Sequence, residues 1–219
     1  MEPTDSASAL FVPDGPNRWV PTGLARGPWD PRACHGGPVS ALLARAVEHA
    51  DPDSLVDWQI ARLTIELTRP VPVESPLTVT TDIERDGRKV SLVAVRLHDG
   101  DTEVARARSL RIRAKPLALP DTVAQPASDP PATPHDAVAQ RVSWATGDQV
   151  AFHTHACEHR FTEGSWDAPG PVGEWIGMRS ASHYGTTGTS TGAGFAESAL
   201  YDAEGRMGRS VQSLILDER

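Results

Sequence analysis

Apolar positions between residues 39 and 47 recur every three or four residues, as they do along one face of a helix. Pro38 stands at the start of this run, where the first turn of a helix needs no N–H donor from it. The Asp51-Pro52 pair marks the end. The sequence therefore predicts one helix that follows residues 34–37 and ends near His49. Its apolar stripe consists of Val39, Leu42, Leu43, Ala46 and Val47.

Strand-like runs rich in Val, Ile, Leu and Thr follow this helix. The pairs Arg69-Pro70, Asp86-Gly87 and Asp99-Gly100 separate them and are typical of turns. One helix followed by an antiparallel meander predicts an α+β fold. The predicted strands cover residues 58–67, 77–85, 90–97 and 103–113.

The second half of the chain is predicted to contain strands only. It begins after residues 115–134, a proline-rich stretch without apolar periodicity that is typical of an extended linker. Residues 98–110 and 202–214 are similar turn-then-strand segments, which suggests an internal repeat. The predicted strands are residues 150–161, 174–184, 194–201 and 207–216, and the predicted domains are residues 1–114 and 148–219 with a linker at 115–147.

Composition narrows the classes of partner. The net charge is -8 and the pI is near 5.4, which disfavours nucleic acids and anionic membrane surfaces. No apolar run approaches the roughly 18 residues of a spanning helix, and the first residues lack the features of a signal peptide. We therefore expect a cytoplasmic protein. Cys34 and Cys157 are far apart and outside any CxxC motif, so we expect two free thiols.

Residues 27–48 and 63–72 resemble the double-hotdog type II acyl-CoA thioesterases. Residues 86–91 fit a turn of that family, and residues 173–175 and 194–214 fit its closing strands. The resemblance implies two hotdog units in tandem, each an antiparallel sheet around a central helix, with the substrate between them. It implies hydrolysis of an acyl-CoA or of an acyl group bound to a carrier protein, without a cofactor.

The second unit departs from the family. Phe161 is separated from the Gly173-Glu174-Trp175 segment by only a short stretch, so the region of the second central helix is missing. In the family, two of the three catalytic groups, an Asp and a Thr, belong to that region. Only the third, a Gln on the last strand, has a counterpart in this chain, which is Gln212. A half-unit without its helix leaves a sheet face uncovered, so we expect a homodimer or a larger assembly.

The start of the predicted helix is the main candidate site. The amides of Gly36 and Gly37, together with the helix dipole, could polarise a thioester carbonyl, or the glycines could serve only tight packing. His35 could orient or deprotonate a water. Gln212 could hold a water against the carbonyl or be a relic of the family's site. Asp30, like Glu197, could replace the missing Asp or could simply be solvated.

A rival site lies on the predicted strand 150–161. Strand alternation would place His153, His155, Cys157 and His159 on one face, where two neighbours could bind a divalent metal. The alternative, which we favour, is a polar face in the space left by the missing helix. The glycine-rich residues 185–194 lack the ending of a phosphate loop and indicate a hairpin connection.

Three functions are consistent with these patterns. The first is an acyl-thioester hydrolase, which the resemblance favours. The second is a repurposed hotdog protein that binds acyl chains without turnover, or acts as a dehydratase or cyclase. The third is a metal-dependent hydrolase built on the His153 strand.

Overall fold

The structure of the chain, a computed structural model, describes the backbone of residues 9–54, 56–114, 135–140, 149–169, 172–176, 180–188, 193–202 and 205–215. Side chains of these residues are described as far as Glu174. The chain divides into two compact units. The first comprises Met1–Pro120 and Trp144–Ala156, and the second Asp121–Ser143 and Cys157–Arg219.

The predicted helix is present as α1, Gly36–Glu48, and His49 caps its C-terminal end. Its apolar stripe is buried at Val39, Leu42, Leu43 and Val47, so the helical spacing of these residues is used for packing. Arg45 lies in the last turn, where a cation is favourable beside the negative end of the helix dipole.

A six-stranded antiparallel sheet packs against α1, with strand order β1-β2-β4-β5-β6-β3. The strands β3 and β4 have the predicted bounds, whereas β5 and β6 extend slightly beyond theirs. The two short strands β1 and β2 were not predicted. The strands are β1 Phe11–Pro13, β2 Arg18–Pro21, β3 Trp58–Leu67, β4 Leu77–Arg85, β5 Val90–Asp99 and β6 Thr102–Arg113.

Alternation along the central strands separates the two faces of this sheet. Val93, Val95 and Leu97 of β5 belong to the buried cluster around α1, as do Ala105 and Ala107 of β6. The residues between them point to the opposite face. The first unit therefore has the architecture that the resemblance implied, a sheet wrapped on one helix.

Arg111 of β6 is a buried cation at the far end of α1. Its guanidinium donates to Ser91 Oγ at 3.0 Å and to the Val47 carbonyl at 3.3 Å, and it lies over the ring of Trp58. Burial lowers the pKa of Arg111, although Asp51 and Asp86 act in the opposite direction. The guanidinium thus occupies the negative end of the helix dipole.

The second unit is built from six antiparallel strands in the order β12-β11-β10-β9-β8-β7. Within its described residues it contains no helix, as the sequence indicated. The strands are β7 Val138–Gln140, β8 His159–Glu163, β9 Val172–Ile176, β10 Ser180–Gly188, β11 Ala193–Asp202 and β12 Gly205–Ile215.

Two strand predictions in this half were wrong. Residues 174–184 were predicted as one strand, but β9 and β10 pair with each other as a hairpin. Residues 150–161 were also predicted as one strand, but Phe152–Ala156 form a single π-helical turn and β8 starts only at His159. The turn is fixed by non-local bonds, since the Phe152 N–H donates to the Arg26 carbonyl at 3.0 Å.

The predicted domain boundaries differ from the compact units. Residues 149–156 pack with the first unit, although the sequence assigned them to the second. Val138–Gln140 of the predicted linker form β7 and pair with β8. Residues 115–134 and 141–148 of that linker lie outside the described part of the chain. No helix in the described ranges is long and apolar enough to span a bilayer.

Candidate functional site at the start of the first helix

A short folded loop, residues 26–35, delivers the chain to the start of α1. Its Gly27 N–H donates to the Ala33 carbonyl at 2.8 Å, which closes the loop on itself. The Cys34 N–H donates to Val71 and the His35 N–H to Ala25, both at 2.8 Å. Backbone bonds on both sides therefore fix His35 at the position that caps the helix.

His35 caps α1 with its ring. Its Nδ1 accepts a hydrogen bond from the Gly37 N–H at 3.0 Å. A nitrogen that accepts from an N–H carries no proton, so the neutral ring has its proton on Nε2. In this tautomer His35 offers a hydrogen-bond donor and cannot accept a proton at Nε2. The predicted role of general base would require the other tautomer, which would break the cap.

The two glycines are tightly packed. A Cβ at Gly36 would lie 3.1 Å from Leu67 Cδ1, and one at Gly37 would lie 3.2 Å from both His35 Nδ1 and Phe152 Cε1. These distances support a packing role for both residues. The predicted role of the two amides in binding an oxyanion stays a prediction. The Gly37 amide donates its hydrogen bond to His35, so it is not available to a carbonyl oxygen while the cap is formed.

The π-helical turn brings two aromatic rings to the same place. The ring centroids of His35 and Phe152 are 5.1 Å apart, and those of His35 and His153 are 6.3 Å apart. Arg26 holds this segment, because its Nη1 donates to the Val150 carbonyl at 2.8 Å and its carbonyl accepts from Phe152. His153 therefore neighbours His35, a pairing that no local pattern in the sequence indicates.

Asp30 lies in the exposed part of the loop. Arg32 donates to its carboxylate through Nε and Nη2, each at 3.1 Å, and through its backbone N–H at 2.9 Å. These bonds lower the pKa of Asp30 below its usual value. A carboxylate stabilised in this way is a weak base, which argues against the predicted catalytic role of Asp30.

The four residues of the alternative metal site do not form a cluster, in line with the polar face that we favoured over it. His153 and His155 lie in the π-helical turn and His159 lies in β8, so alternation along one strand does not align them. His159 Nδ1 is hydrogen-bonded to Glu174 Oε1 in the interior of the second unit. The described part of the chain contains no group of three or more side chains arranged to hold a metal ion.

Both cysteines are free thiols, as the sequence indicated. Burial raises the pKa of Cys34 to about 12, with Arg26 acting against the shift. Burial, with a smaller contribution from Glu174, raises the pKa of Cys157 to about 11. Neither thiol is set up as a nucleophile, because a nucleophilic cysteine requires a lowered pKa.

Gln212 and Glu197 lie on the closing strands of the second unit. Gln212 is opposite Ala196 and Glu197 is opposite Val211 in the pairing of β11 with β12. Their side chains lie outside what the structure describes, so their predicted roles stay predictions. Gly185 to Gly188 of β10 pair with β11, which agrees with a hairpin connection in the glycine-rich segment.

The architecture agrees with the comparisons with known proteins. The model of the acyl-CoA thioesterase N-terminal domain matches residues 25–112, which include the loop, α1 and the strands β3 to β6. Residues 25–112 are therefore similar in sequence to the N-terminal domain of acyl-CoA thioesterases. The match ends before the second unit begins. No curated protein matches the chain significantly.

Solved structures support the hotdog fold for the whole chain. A candidate thioesterase of Novosphingobium aromaticivorans is 16% identical, with a TM-score of 0.75 over 97% of this chain and 100% of its own. A candidate thioesterase II of Thermobifida fusca is 17% identical, with a TM-score of 0.66 over 95% of each chain. A hot dog protein of Alicyclobacillus acidocaldarius is 12% identical, with a TM-score of 0.69 over 95% of this chain and 96% of its own. At these identities, the similarity establishes the fold.

Proposed function

We propose that the chain hydrolyses acyl thioesters at the start of α1, with coenzyme A or a carrier protein as the thiol component. The observation that carries this proposal is the hydrogen bond between the Gly37 N–H and His35 Nδ1. It selects the tautomer that carries an Nε2–H donor near the positive end of a helix dipole, within the residues that match the acyl-CoA thioesterase domain.

The reaction consumes one thioester and one water and yields a carboxylic acid and a thiol. Attack of water on the carbonyl carbon moves negative charge onto the carbonyl oxygen. The His35 Nε2–H donates to this oxygen as the charge develops, and the helix dipole stabilises the same charge. Collapse of the intermediate breaks the C–S bond, and the thiolate leaves with a proton taken from the attacking water.

His153 is our candidate for moving that proton. Its ring centroid lies 6.3 Å from that of His35, and both of its ring nitrogens are buried, so a side-chain movement must expose one of them to the attacking water. The resemblance gives Gln212 a role in steering the water. The general base of the family's missing region has no counterpart, so His153 is proposed in its place.

Thiol release from acyl-CoAs of short, medium and long chain length tests the proposal. The decisive variant is His35→Asn, because an Asn oxygen is also a good N-cap and preserves the helix, whereas its shorter amide cannot place an N–H at the position of the ring Nε2–H. Removing one oxyanion donor typically costs about a hundredfold or more in kcat. We expect His35→Asn to show this loss while unfolding at the wild-type denaturant concentration.

His35→Ala is the matched control, since it loses both the donor and the cap and should also be less stable by about 1 kcal/mol. His153→Gln and Gln212→Ala test the two partners. Full turnover in His35→Asn would refute the role of His35. Absence of turnover in the wild type on every thioester, with acyl chains still bound, would instead support the repurposed binding protein.

A homo-oligomer and a cytoplasmic location remain predictions from the sequence. The second unit supports the prediction of a homo-oligomer, because its described residues provide no helix to cover the sheet. Light scattering at micromolar concentration tests it, and a strictly monomeric mass would contradict it.

A further inference from the structure

A groove lies on the face of the first sheet that points away from α1. Its cavity volume is about 770 Å³, within the range of roughly 300–1,000 Å³ typical of small-molecule sites. Residues of β3, β4, β5 and β6 line it. The side chains that matter here are Arg62, Arg96, Arg106 and Arg108, with Glu66 and Glu84.

The charge of the groove is opposite to that of the chain. Four arginines face two glutamates in the lining, whereas the whole chain carries a net charge of -8. Arg96 and Arg106 are directly opposite each other on β5 and β6. Like charges in such a pair destabilise a sheet unless acidic neighbours compensate, and here Glu103 contacts both arginines.

Acidic neighbours hold three of these arginines. Arg106 contacts Glu66 at 2.5 Å, Arg108 contacts Glu84 at 2.7 Å, and Arg96 contacts Glu103 at 3.5 Å. These pairs are at the surface, where an ion pair contributes about 0–1 kcal/mol.

Arg62 makes no ion pair within the described part of the chain and is exposed. A phosphate group, with up to two charges and several acceptor oxygens, can therefore bind Arg62 and compete for the other guanidinium groups.

The groove lies close to the proposed catalytic site along β3. Glu66 is at one end of the groove, and the next residue, Leu67, lies on the opposite side of the strand against Gly36 at the start of α1. β3 is an edge strand of its sheet, so both faces can be reached around it. A ligand with a long flexible arm can have its anionic part in the groove and its reacting end at the helix start.

We propose that this groove binds the phosphorylated nucleotide part of a coenzyme A thioester, an inference that rests on the proposed function. Adenosine 3′,5′-bisphosphate is the matching fragment. A concave site of this size fits a nucleotide, and the positive excess matches its phosphates. An acidic carrier protein is the competing source of negative charge, and the experiment separates the two.

The binding experiment is titration calorimetry with adenosine 3′,5′-bisphosphate, which does not depend on turnover. Arg62→Gln, Arg106→Gln and Arg108→Gln remove one charge each. We expect each to weaken binding by about three- to tenfold, as the loss of one charge-assisted contact of about 1 kcal/mol would do. Arg18→Gln is the matched control, because Arg18 and Arg106 are equally exposed, at 50% and 52%, and both pair with an acid. Its affinity should stay within about twofold of wild type, because it lies outside the groove.

Kinetics provide the second measurement. The same variants should raise KM for an acyl-CoA by the factor seen in binding and leave kcat unchanged. Turnover of the same acyl group on N-acetylcysteamine, which lacks the nucleotide, should not change. Wild-type affinity for the bisphosphate in all three variants would overturn the proposal, as would an effect confined to an acyl-carrier-protein substrate. Bisphosphate binding without turnover of any thioester would support the groove while the proposed function failed.

Discussion

Removing one member of the buried pair His159 and Glu174 should destabilise the second unit strongly. The side chains are 6% and 1% exposed, and His159 Nδ1 bonds to Glu174 Oε1. The ring of His159 also stacks edge-on against Trp166, with 5.9 Å between centroids. A Glu174→Leu substitution takes away the carboxylate and leaves an imidazole nitrogen facing apolar atoms.

The magnitude follows from the charge state of the pair. Breaking a buried ion pair costs about 3–5 kcal/mol, whereas leaving a neutral polar group unsatisfied costs about 1–3 kcal/mol. We expect Glu174→Leu to lower the unfolding free energy by at least about 1–3 kcal/mol, the cost of leaving a neutral polar group unsatisfied. The double variant His159→Leu/Glu174→Leu should recover most of the loss, since replacing both partners by apolar groups is often nearly neutral.

Urea unfolding followed by tryptophan fluorescence and by far-UV circular dichroism measures these changes. Both signals are needed because the chain has two compact units, and the units need not unfold together. Glu158→Leu is the control, since Glu158 pairs with Arg160 at the surface and should contribute little. A loss below about 1 kcal/mol in Glu174→Leu, or a double variant as unstable as the single one, would refute the assignment of a mutually dependent buried pair.

Four further predictions concern the first unit and the thiols. Alkylation by iodoacetamide at pH 8 should be about a hundredfold slower at Cys157 than at an exposed cysteine and slower still at Cys34, because their pKa values are raised to about 11 and about 12. The raised values also mean that the unfolded chain ionises first, so the unfolding free energy should fall as the pH rises above about 9, by up to about 1.4 kcal/mol per pH unit for Cys34 and by less for the half-buried Cys157. Arg111→Ala should lower the unfolding free energy by about 2–5 kcal/mol, measured by denaturant unfolding. Arg111→Met should lower it less, because Met keeps the packed aliphatic part of the side chain. Gly36→Ala should change stability by less than about 0.5 kcal/mol, since only a flexible side-chain end must move, whereas Gly37→Ala meets two rings and should cost about 1–2 kcal/mol.

The sequence predicted the elements whose signals are local. The stripe of α1 and the alternation of β3 and β4 are properties of short windows, and the structure confirms these elements with nearly the predicted bounds. The fold class was also predicted, because one helix followed by a meander is an α+β pattern and the motifs in residues 27–48 and 63–72 resemble a known family. The break between β9 and β10 was missed because residues 174–184 carry no strong turn signal.

The candidate site was predicted only in part. His35, Gly36 and Gly37 were found because a helix start is visible in the sequence. The sequence placed His153 beside His155 on one strand, whereas the structure places it beside His35. Its position depends on two hydrogen bonds between residues 150–152 and Arg26, which lies more than a hundred residues earlier in the chain. Bonds between such distant residues leave no periodic signal.

The geometry of His35 connects the stability of α1 to the proposed chemistry. One ring nitrogen caps the start of the helix, so in the neutral ring the other carries the proton, and the capping hydrogen bond thereby selects the tautomer that donates to a carbonyl oxygen. A site organised in this way needs no carboxylate from a second helix to fix the tautomer. The loss of the family's second-unit helix would then remove the original partner for the water and leave carbonyl polarisation intact. For this reason, the search for the missing base should start at His153, the ring that the structure places beside His35.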